Sequence, residues 1–393
     1  MALRGFRIRR KQQYFNTSSI ALVHGGQEYF DRVVSLIDTA QKEIHLQTYI
    51  FESDIAGQLI INALLKAAKR GVKIYMLLDY FGSLNLGQTT TQKLIAAGVQ
   101  LKFFGKWNWK SIWFLGRRLH HKIFVVDKLV GLIGGVNISD DYRGTDEKDA
   151  WLDYAVEFDG PACIDLATIC HGRFMKKRLS KNPIQLRKIK NTVGKVGLLE
   201  NDWLKGRRAI NRAYLRMIKS AQEEIILLSG YFLPNRKFRK ALQKAYKRGV
   251  QIKIITSGQS DVPFIRYATA YFYDWLLKYG IQFYEWEETI LHGKVALFDQ
   301  KIAQIGSYNI NDLSAYGSIE MNVEVCSDQF AQELSTELEH IMAQSKLIKL
   351  TRDSSVRRRL LNWFSYLMFK MIFFWIVHLP NLLFKKAEEP EEE

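Results

Sequence analysis

With 393 residues the chain has room for two domains of ordinary size, each able to bury its own core. A formal charge of +17 calls for anionic partners, either a lipid surface or a nucleic acid. The cysteines, Cys163, Cys170 and Cys326, are odd in number and lack metal-site spacing, which excludes a disulfide framework as the source of stability.

The first residues, including Arg4, Arg7, Arg9 and Arg10, are basic with no apolar run behind them, so no cleavable secretion signal is expected. Residues 15–175 read as a first lobe. In order come a helix, a strand over 44–51, a helix closing at Arg70-Gly71, a strand over 73–78, a helix, and two further strands. Gly71 follows a basic last turn, which suits a helix C-terminus. Residues 106–118 interleave Trp107, Trp109 and Trp113 with Lys106, Lys110, Arg117 and Arg118. His120-x-Lys122-x4-Asp127 follows on one strand, and Gly134-Gly135-Val136-Asn137 ends the next. Side chains alternate along a strand, so His120 and Lys122 share a face while His121 points away.

A basic stretch, residues 176–195 with Pro183, reads as a solvated linker, with an anion-binding strip as the second reading. Residues 196–350 then repeat the first lobe. Ala63-Leu64 through Arg70-Gly71-Val72 returns as Ala241-Leu242 through Arg248-Gly249-Val250, and strands are expected over 225–231 and 251–256. An aromatic run from Phe264 to Trp275 reads first as helix core and second as a lining for acyl chains. His292-x-Lys294-x4-Asp299 and Gly306-Ser307-Tyr308-Asn309 complete the copy, with each asparagine as far behind its histidine as in the first lobe (120 to 137, 292 to 309). The expected fold class is α/β: two similar lobes, each a mixed sheet flanked by helices, related by a pseudo-two-fold axis.

Residues 351–393 form a tail. Its segment 360–384 is rich in Trp, Phe, Leu and Ile, but Lys370, His378 and Pro380 break it below the ~20 uninterrupted apolar residues of a spanning helix. Arg357, Arg358 and Arg359 precede it and Lys385 and Lys386 follow, so it reads as an amphipathic, membrane-associated segment. A helix covering a core is the alternative. The glutamate-rich end reads as solvated.

A motif that occurs twice points to one active site built from both copies. Imidazole is a nucleophile when neutral and an acid when protonated, so two histidines can divide those roles, and lysines and amides suit an oxyanion-rich centre such as a phosphodiester. The candidate catalytic set is His120, Lys122, Asp127, His292, Lys294 and Asp299. Within it Asp127 and Asp299 read first as turn-closing acids at strand ends. Asp79, where a strand enters a Gly-Ser turn, is divided evenly between capping that turn and serving the site. The remaining histidines, His24, His45, His171, His340 and His378, have no partner pattern. Neither motif has metal-ligand spacing, and no metal or cofactor is expected.

The doubled motif, together with Gln47-Thr48-Tyr49-Ile50-Phe51, Arg70-Gly71-Val72, Leu78-Asp79-Tyr80-Phe81-Gly82-Ser83, Ile133-Gly134-Gly135-Val136-Asn137 and Tyr231-Phe232-Leu233-Pro234, resembles the phospholipase D superfamily. Within it the flanks are most similar to the bacterial cardiolipin synthases, from about residue 25 to about 339. The resemblance implies that His120 and His292 meet between the lobes, that His120 is the nucleophile forming a phosphohistidine, and that His292 is the acid and then the base. It implies that Lys122, Lys294, Asn137 and Asn309 hold phosphate oxygens, with Ser307 adding a hydrogen bond where Gly135 offers only backbone. Asp153 and Glu320, each three residues before a Val-Glu pair, occupy the places for carboxylates that orient the imidazoles.

The expected function is cardiolipin synthesis, transferring a phosphatidyl group to phosphatidylglycerol. A hydrolytic phospholipase D or a phosphatidylserine synthase is the alternative within the class, and a nuclease or other phosphodiesterase of nucleic acid the alternative outside it. Expected partners are an anionic phospholipid membrane, with phosphatidylglycerol and also phosphatidylethanolamine as substrates, and no obligate protein. The aromatic tail weighs against nucleic acid. The expected location is the bacterial cell membrane, peripheral or monotopic, with the leaflet open.

Overall fold

A computed structural model describes residues 13–106, 117–176, 191–202, 207–262, 264–349 and 356–383. Most of the Trp-rich stretch before the first motif, most of the basic linker and the glutamate-rich end lie outside the described residues.

The strands in chain order are β1 (Phe15–Thr17), β2 (Ile20–His24), β3 (Glu43–Thr48), β4 (Lys73–Asp79), β5 (Gln100–Phe104), β6 (Lys122–Val126), β7 (Val130–Gly134) and β8 (Tyr154–Asp159). They continue as β9 (Gly194–Asp202), β10 (Arg207–Arg208), β11 (Glu224–Ser229), β12 (Gln251–Ser257), β13 (Gln282–Trp286), β14 (Lys294–Phe298), β15 (Ile302–Gly306), β16 (Glu320–Cys326) and β17 (Lys346–Leu347). One sheet runs β2-β8-β7-β6-β3-β4-β5 and the other contains β9-β16-β15-β14-β11-β12-β13 in the corresponding order. In both, the last three strands are parallel and the rest antiparallel. The duplication read in the sequence is therefore a duplication of topology. One strand crosses over: β1, expected to open the first lobe, pairs with β9 at the edge of the second lobe's sheet, where Phe15 is buried opposite Val196.

The motif strands are buried from end to end, as central strands covered on both faces should be. Alternation divides them between two cores. Ile123 and Val125 of β6, with Val295 and Leu297 of β14, face a core shared by both lobes, which the helices Pro161–Phe174 and Asp328–Gln344 complete. Phe124 and Val126 face outward beneath the helices Gln27–Thr39 and Ile55–Lys69, and Ala296 and Phe298 do the same beneath Ala209–Ser220 and Arg236–Lys247. Gly71 and Gly249, which end the second helix of each lobe, have φ of 86° and 91°, a conformation in which a side chain is strained.

The helix Val356–Leu383 lies on the second lobe. Phe369 is buried there, and Tyr366 stacks on Tyr271 with ring centroids 4.5 Å apart and planes 6° from parallel. A covering helix thus describes one face of the tail, and the aromatic run 264–275 is its floor. The other face leaves Leu360, Trp363, Phe364, Met371 and Trp375 exposed. Among the described residues no helix is long and apolar enough to cross a membrane.

Candidate active site

Each motif histidine is pinned against the other lobe. Leu119 forms a parallel bridge with Ile319, and the His120 amide donates to the Ile319 carbonyl at 2.9 Å. Leu152 bridges Leu291 in the same way, and the His292 amide donates to the Leu152 carbonyl at 2.9 Å. A second pair of hydrogen bonds holds each segment to its own lobe. The Leu119 amide donates to Asp79 Oδ2 and the Leu291 amide to Ser257 Oγ, both at 2.9 Å. Asp79 also accepts from the amides of Phe81 and Gly82, so it both caps its turn and seats the histidine strand.

The residues following the two bridges are the carboxylates. Glu320 Oε2 lies 2.9 Å from His120 Nδ1, and Asp153 Oδ2 lies 2.7 Å from His292 Nδ1. Each imidazole is therefore oriented by an acid from the opposite lobe. Lys294 Nζ also lies 2.8 Å from His292 Nδ1, but that nitrogen has one proton to give or one lone pair to offer. The proton belongs to the carboxylate, because Lys294 has its own acceptor in the His292 carbonyl. With Nδ1 protonated in both rings, the Nε2 atoms carry the reactive lone pairs.

Burial is the main force on the charges here. It lowers the affinity of both imidazoles for a proton, with Lys122 and Lys294 adding to the effect, and pushes His292 down to about 3. Both rings are therefore neutral at rest. Burial likewise pushes Lys122 down to about 7 and Lys294 to about 8. Burial works against ionised Asp153, yet Lys294 and His292 hold it below the usual carboxylate range. The field of Lys294 reaches His120 and that of Lys122 reaches His292, so the two motifs form one electrostatic unit. An anionic ligand between the rings would restore the charge of both lysines and make protonation of an imidazole easier.

The structure brings the expected residues together unequally. Lys122 and Lys294 are buried and reach back to the carbonyls of their own histidines. Ser307 donates at 2.5 Å to Glu320 Oε2, supporting the orienting acid instead of reaching for a phosphate. Asn137 accepts from the Ile50 amide and donates one of its two Nδ2 protons to Tyr142 Oη at 2.7 Å. Asn309 keeps a buried Oδ1 with no partner among the described residues.

Asp127 and Asp299, both named in the candidate catalytic set, hold backbone amides and touch neither imidazole among the described contacts. Asp127 accepts from the amides of Gln41, Lys42 and Glu43 at 2.8, 2.7 and 2.8 Å, and Asp299 does the same for Gln222, Glu223 and Glu224. Each sits one strand's length, roughly 17 Å, beyond its lysine and has positive φ, the conformation of a turn. They close the hairpin and tie it to the neighbouring strand.

Aromatic walls were missed in the sequence. Tyr49 lies with its ring 5.2 Å from that of His120, Tyr142 and Trp151 lie 5.1 and 5.9 Å from His292, and Tyr231 lies 6.3 Å from it. The residue spaced after Asn309 as Tyr142 is after Asn137 is Ser314, so the doubled pattern gave no signal for it. Among the described residues no cluster of His, Cys, Asp and Glu is arranged to hold a metal ion.

Residues 33–153 and 214–342 match the family described as cardiolipin synthase, phospholipase D-like domain. The chain belongs to that family. It is 32% identical to cardiolipin synthase B of Escherichia coli (strain K12), over 93% of this chain and 89% of the relative. It is 27% identical to the minor cardiolipin synthase of Bacillus subtilis (strain 168), over 92% of each. Among solved structures, phosphatidylserine synthase of Haemophilus influenzae Rd KW20 superposes with a TM-score of 0.72 at 14% identity, over 93% of this chain and 97% of that one. That last likeness concerns fold alone. The family match spans both lobes that contribute to the candidate site.

Proposed function

We propose that the chain is a cardiolipin synthase that moves a phosphatidyl group to phosphatidylglycerol through a phosphohistidine. The observation that carries this reading is the crossed pair of carboxylates, each fixing the tautomer of the opposite lobe's imidazole beside a buried lysine. His120 Nε2 attacks the phosphorus of a donor lipid. A P–N bond forms and the P–O bond to the donor's headgroup alcohol breaks, with His292, which takes up a proton at Nε2 when the anionic lipid sits between the rings, passing that proton to the leaving oxygen. The acceptor's hydroxyl then loses its proton to His292 and attacks the same phosphorus, so the P–N bond breaks, His120 is again neutral and His292 again holds the proton that the next leaving oxygen takes. Lys122 and Lys294 balance the phosphoryl charge. Two displacements in place of one let acceptor choice be separated from donor choice.

The relatives are cardiolipin synthases, and their product, two phosphatidyl groups joined through one glycerol, supports phosphatidylglycerol as the acceptor. An anionic bilayer as the working surface is supported by the exposed Leu360, Trp363, Phe364 and Trp375 on the helix that also carries Arg357, Arg358, Arg359 and Lys370, where rings sit among headgroups and cations meet anionic lipid. Phe264, Tyr267 and Tyr271 extend that surface along the neighbouring helix Ile265–Ala270, which follows β12 and the site segment around Ser257. The enzyme is thus read as peripheral or monotopic on the bacterial cell membrane.

The test is to incubate the pure protein, in EDTA, with phosphatidylglycerol vesicles with and without phosphatidylethanolamine and to identify the lipid products by mass. Cardiolipin with release of glycerol is expected. Phosphatidic acid alone would replace this reading by hydrolysis, and plasmid cleavage without lipid product would replace it by a nuclease.

A further inference from the structure

The pseudo-symmetry of the site is broken at one hydroxyl. Tyr142 Oη lies 3.3 Å from His292 Nε2, the reactive nitrogen, and its ring meets the imidazole edge-on at 86°. Asn137 Nδ2 donates to the same oxygen at 2.7 Å. An oxygen that accepts from Asn137 has its own proton left to place, and with His292 Nδ1 giving its proton to Asp153, the Nε2 lone pair is the acceptor in reach. Tyr142 therefore donates to His292.

The phenol is held firmly in that pose. Tyr142 is 2% exposed and lies in the short helix Asp140–Arg143. Asp140 accepts from the Ala56 amide at 2.7 Å while its own amide donates to Asp54 at 2.6 Å, which locks this turn to the start of the helix Ile55–Lys69. The Tyr142 carbonyl accepts from Gly26 at 2.9 Å. Burial keeps the phenol protonated, holding its pKa well above the ordinary value. In the second lobe the corresponding Ser314 accepts from the Asn309 amide, and among the described residues no hydrogen bond reaches Nε2 of His120. One ring presents an open nitrogen and the other a nitrogen already engaged by a proton donor.

We propose that Tyr142 is a positioning residue that holds His292 in its proton-accepting form, and that this specialises the second-lobe imidazole as the base that activates the acceptor alcohol. A donor aimed at Nε2 stabilises the neutral ring and disfavours the imidazolium. The incoming hydroxyl displaces the phenol, hands its proton to Nε2, and finds the imidazole already turned toward it. The inference rests on the two-step reaction proposed above and assigns the second step's geometry to a residue outside both motifs.

Tyr142→Phe keeps the ring contacts with His292 and Trp151 and removes only the hydroxyl. The probe is phosphatidyl-p-nitrophenol in mixed micelles with phosphatidylglycerol as acceptor, since nitrophenolate leaves without needing a proton. The variant is expected to release its first equivalent of nitrophenol at the wild-type rate and then turn over about tenfold more slowly, the worth of one hydrogen bond. The acidic limb of its steady-state pH profile should move to higher pH, because the neutral imidazole has lost its donor. Burst amplitude counts working sites, so misfolded protein does not enter the comparison. A wild-type steady state in the variant, or burst and steady state lowered by the same factor with an unmoved acidic limb, overturns the role of Tyr142. A wild-type enzyme that shows no burst and no phosphatidyl transfer overturns the two-step reaction itself.

Discussion

The two lobes agree where chemistry needs identical parts and differ where it needs unequal ones. Both supply a histidine, a lysine two residues on, a carboxylate for the opposite ring and an aspartate that ties off the hairpin. Both also bury a glutamate against an arginine of the lobe's first helix, Glu157 with Arg32 and Glu324 with Arg216. Around that shared frame the first lobe has Asp79, Gly135, Asp153 and Tyr142 where the second has Ser257, Ser307, Glu320 and Ser314. Duplication gives two equivalent imidazoles, but a displacement at phosphorus needs one to attack and one to manage protons. These differences lie on residues that touch the rings, back their carboxylates or seat the histidine segments, which is where the proposed reaction requires the lobes to be unequal.

The strongest way to break the comparison is to remove one ring at a time. His120→Ala and His292→Ala should each lower transfer by roughly 10³-fold or more, since nucleophilic and acid–base catalysis are each lost whole. The two losses should differ in kind. With a phosphorus-labelled donor that has a good leaving group, His292→Ala should accumulate labelled protein, because it forms the intermediate and cannot activate the acceptor, whereas His120→Ala should carry no label. Label on the His120→Ala protein would exchange the roles of the two lobes.

A finer cut exchanges the residues behind the carboxylates. A Cβ at Gly135 would lie 2.2 Å from Asp153 Oδ1, inside contact distance of a fully buried acid. Gly135→Ser should therefore push Asp153 off His292 and cost on the order of 10²-fold in turnover, as loss of a tautomer-fixing acid does. The converse change, Ser307→Gly, removes one hydrogen bond to Glu320 while leaving that acid its contact with His120, and should cost about tenfold or less. Steady-state transfer by the two variants gives the ratio directly. Equal losses would mean that the lobes support their acids alike, against the geometry.

The sequence made the fold and the centre of the site legible because both were written twice. Helix ends at Arg70-Gly71 and Arg248-Gly249, the buried motif strands and the paired histidines and lysines all leave local patterns that a repeat amplifies. The carboxylates were found as positions, but not their crossed assignment, since pairing across a pseudo-two-fold axis depends on how Leu119 meets Ile319 and Leu152 meets Leu291. Tyr142 was invisible for the opposite reason: its value lies in having no twin. The crossing of β1 into the other sheet was likewise hidden, because a short edge strand carries no signal of which sheet will take it. The partners of Asn137 were not legible either, because a glycine-rich strand end gives no sign that its amide will accept from Ile50 and donate to Tyr142.

The smallest expected effect sharpens the distinction between motif and mechanism. Asp127 belongs to the repeated pattern as fully as His120 does, yet its carboxylate gathers three backbone amides from the turn before β3 and lies a strand's length from the rings. Asp127→Asn keeps one acceptor oxygen and loses the charge, so it should lower stability by about 1–3 kcal/mol, the range for a weakened charged hydrogen-bond cluster. Turnover per folded molecule, measured well below the melting temperature, should stay within about twofold of wild type, because nothing that contacts either imidazole has moved. A large fall in turnover with unchanged stability would return this acid to the catalytic set. The expected result assigns its recurrence to folding alone: each lobe must fasten its hairpin to the neighbouring strand before the histidine at the other end can be aimed across the interface.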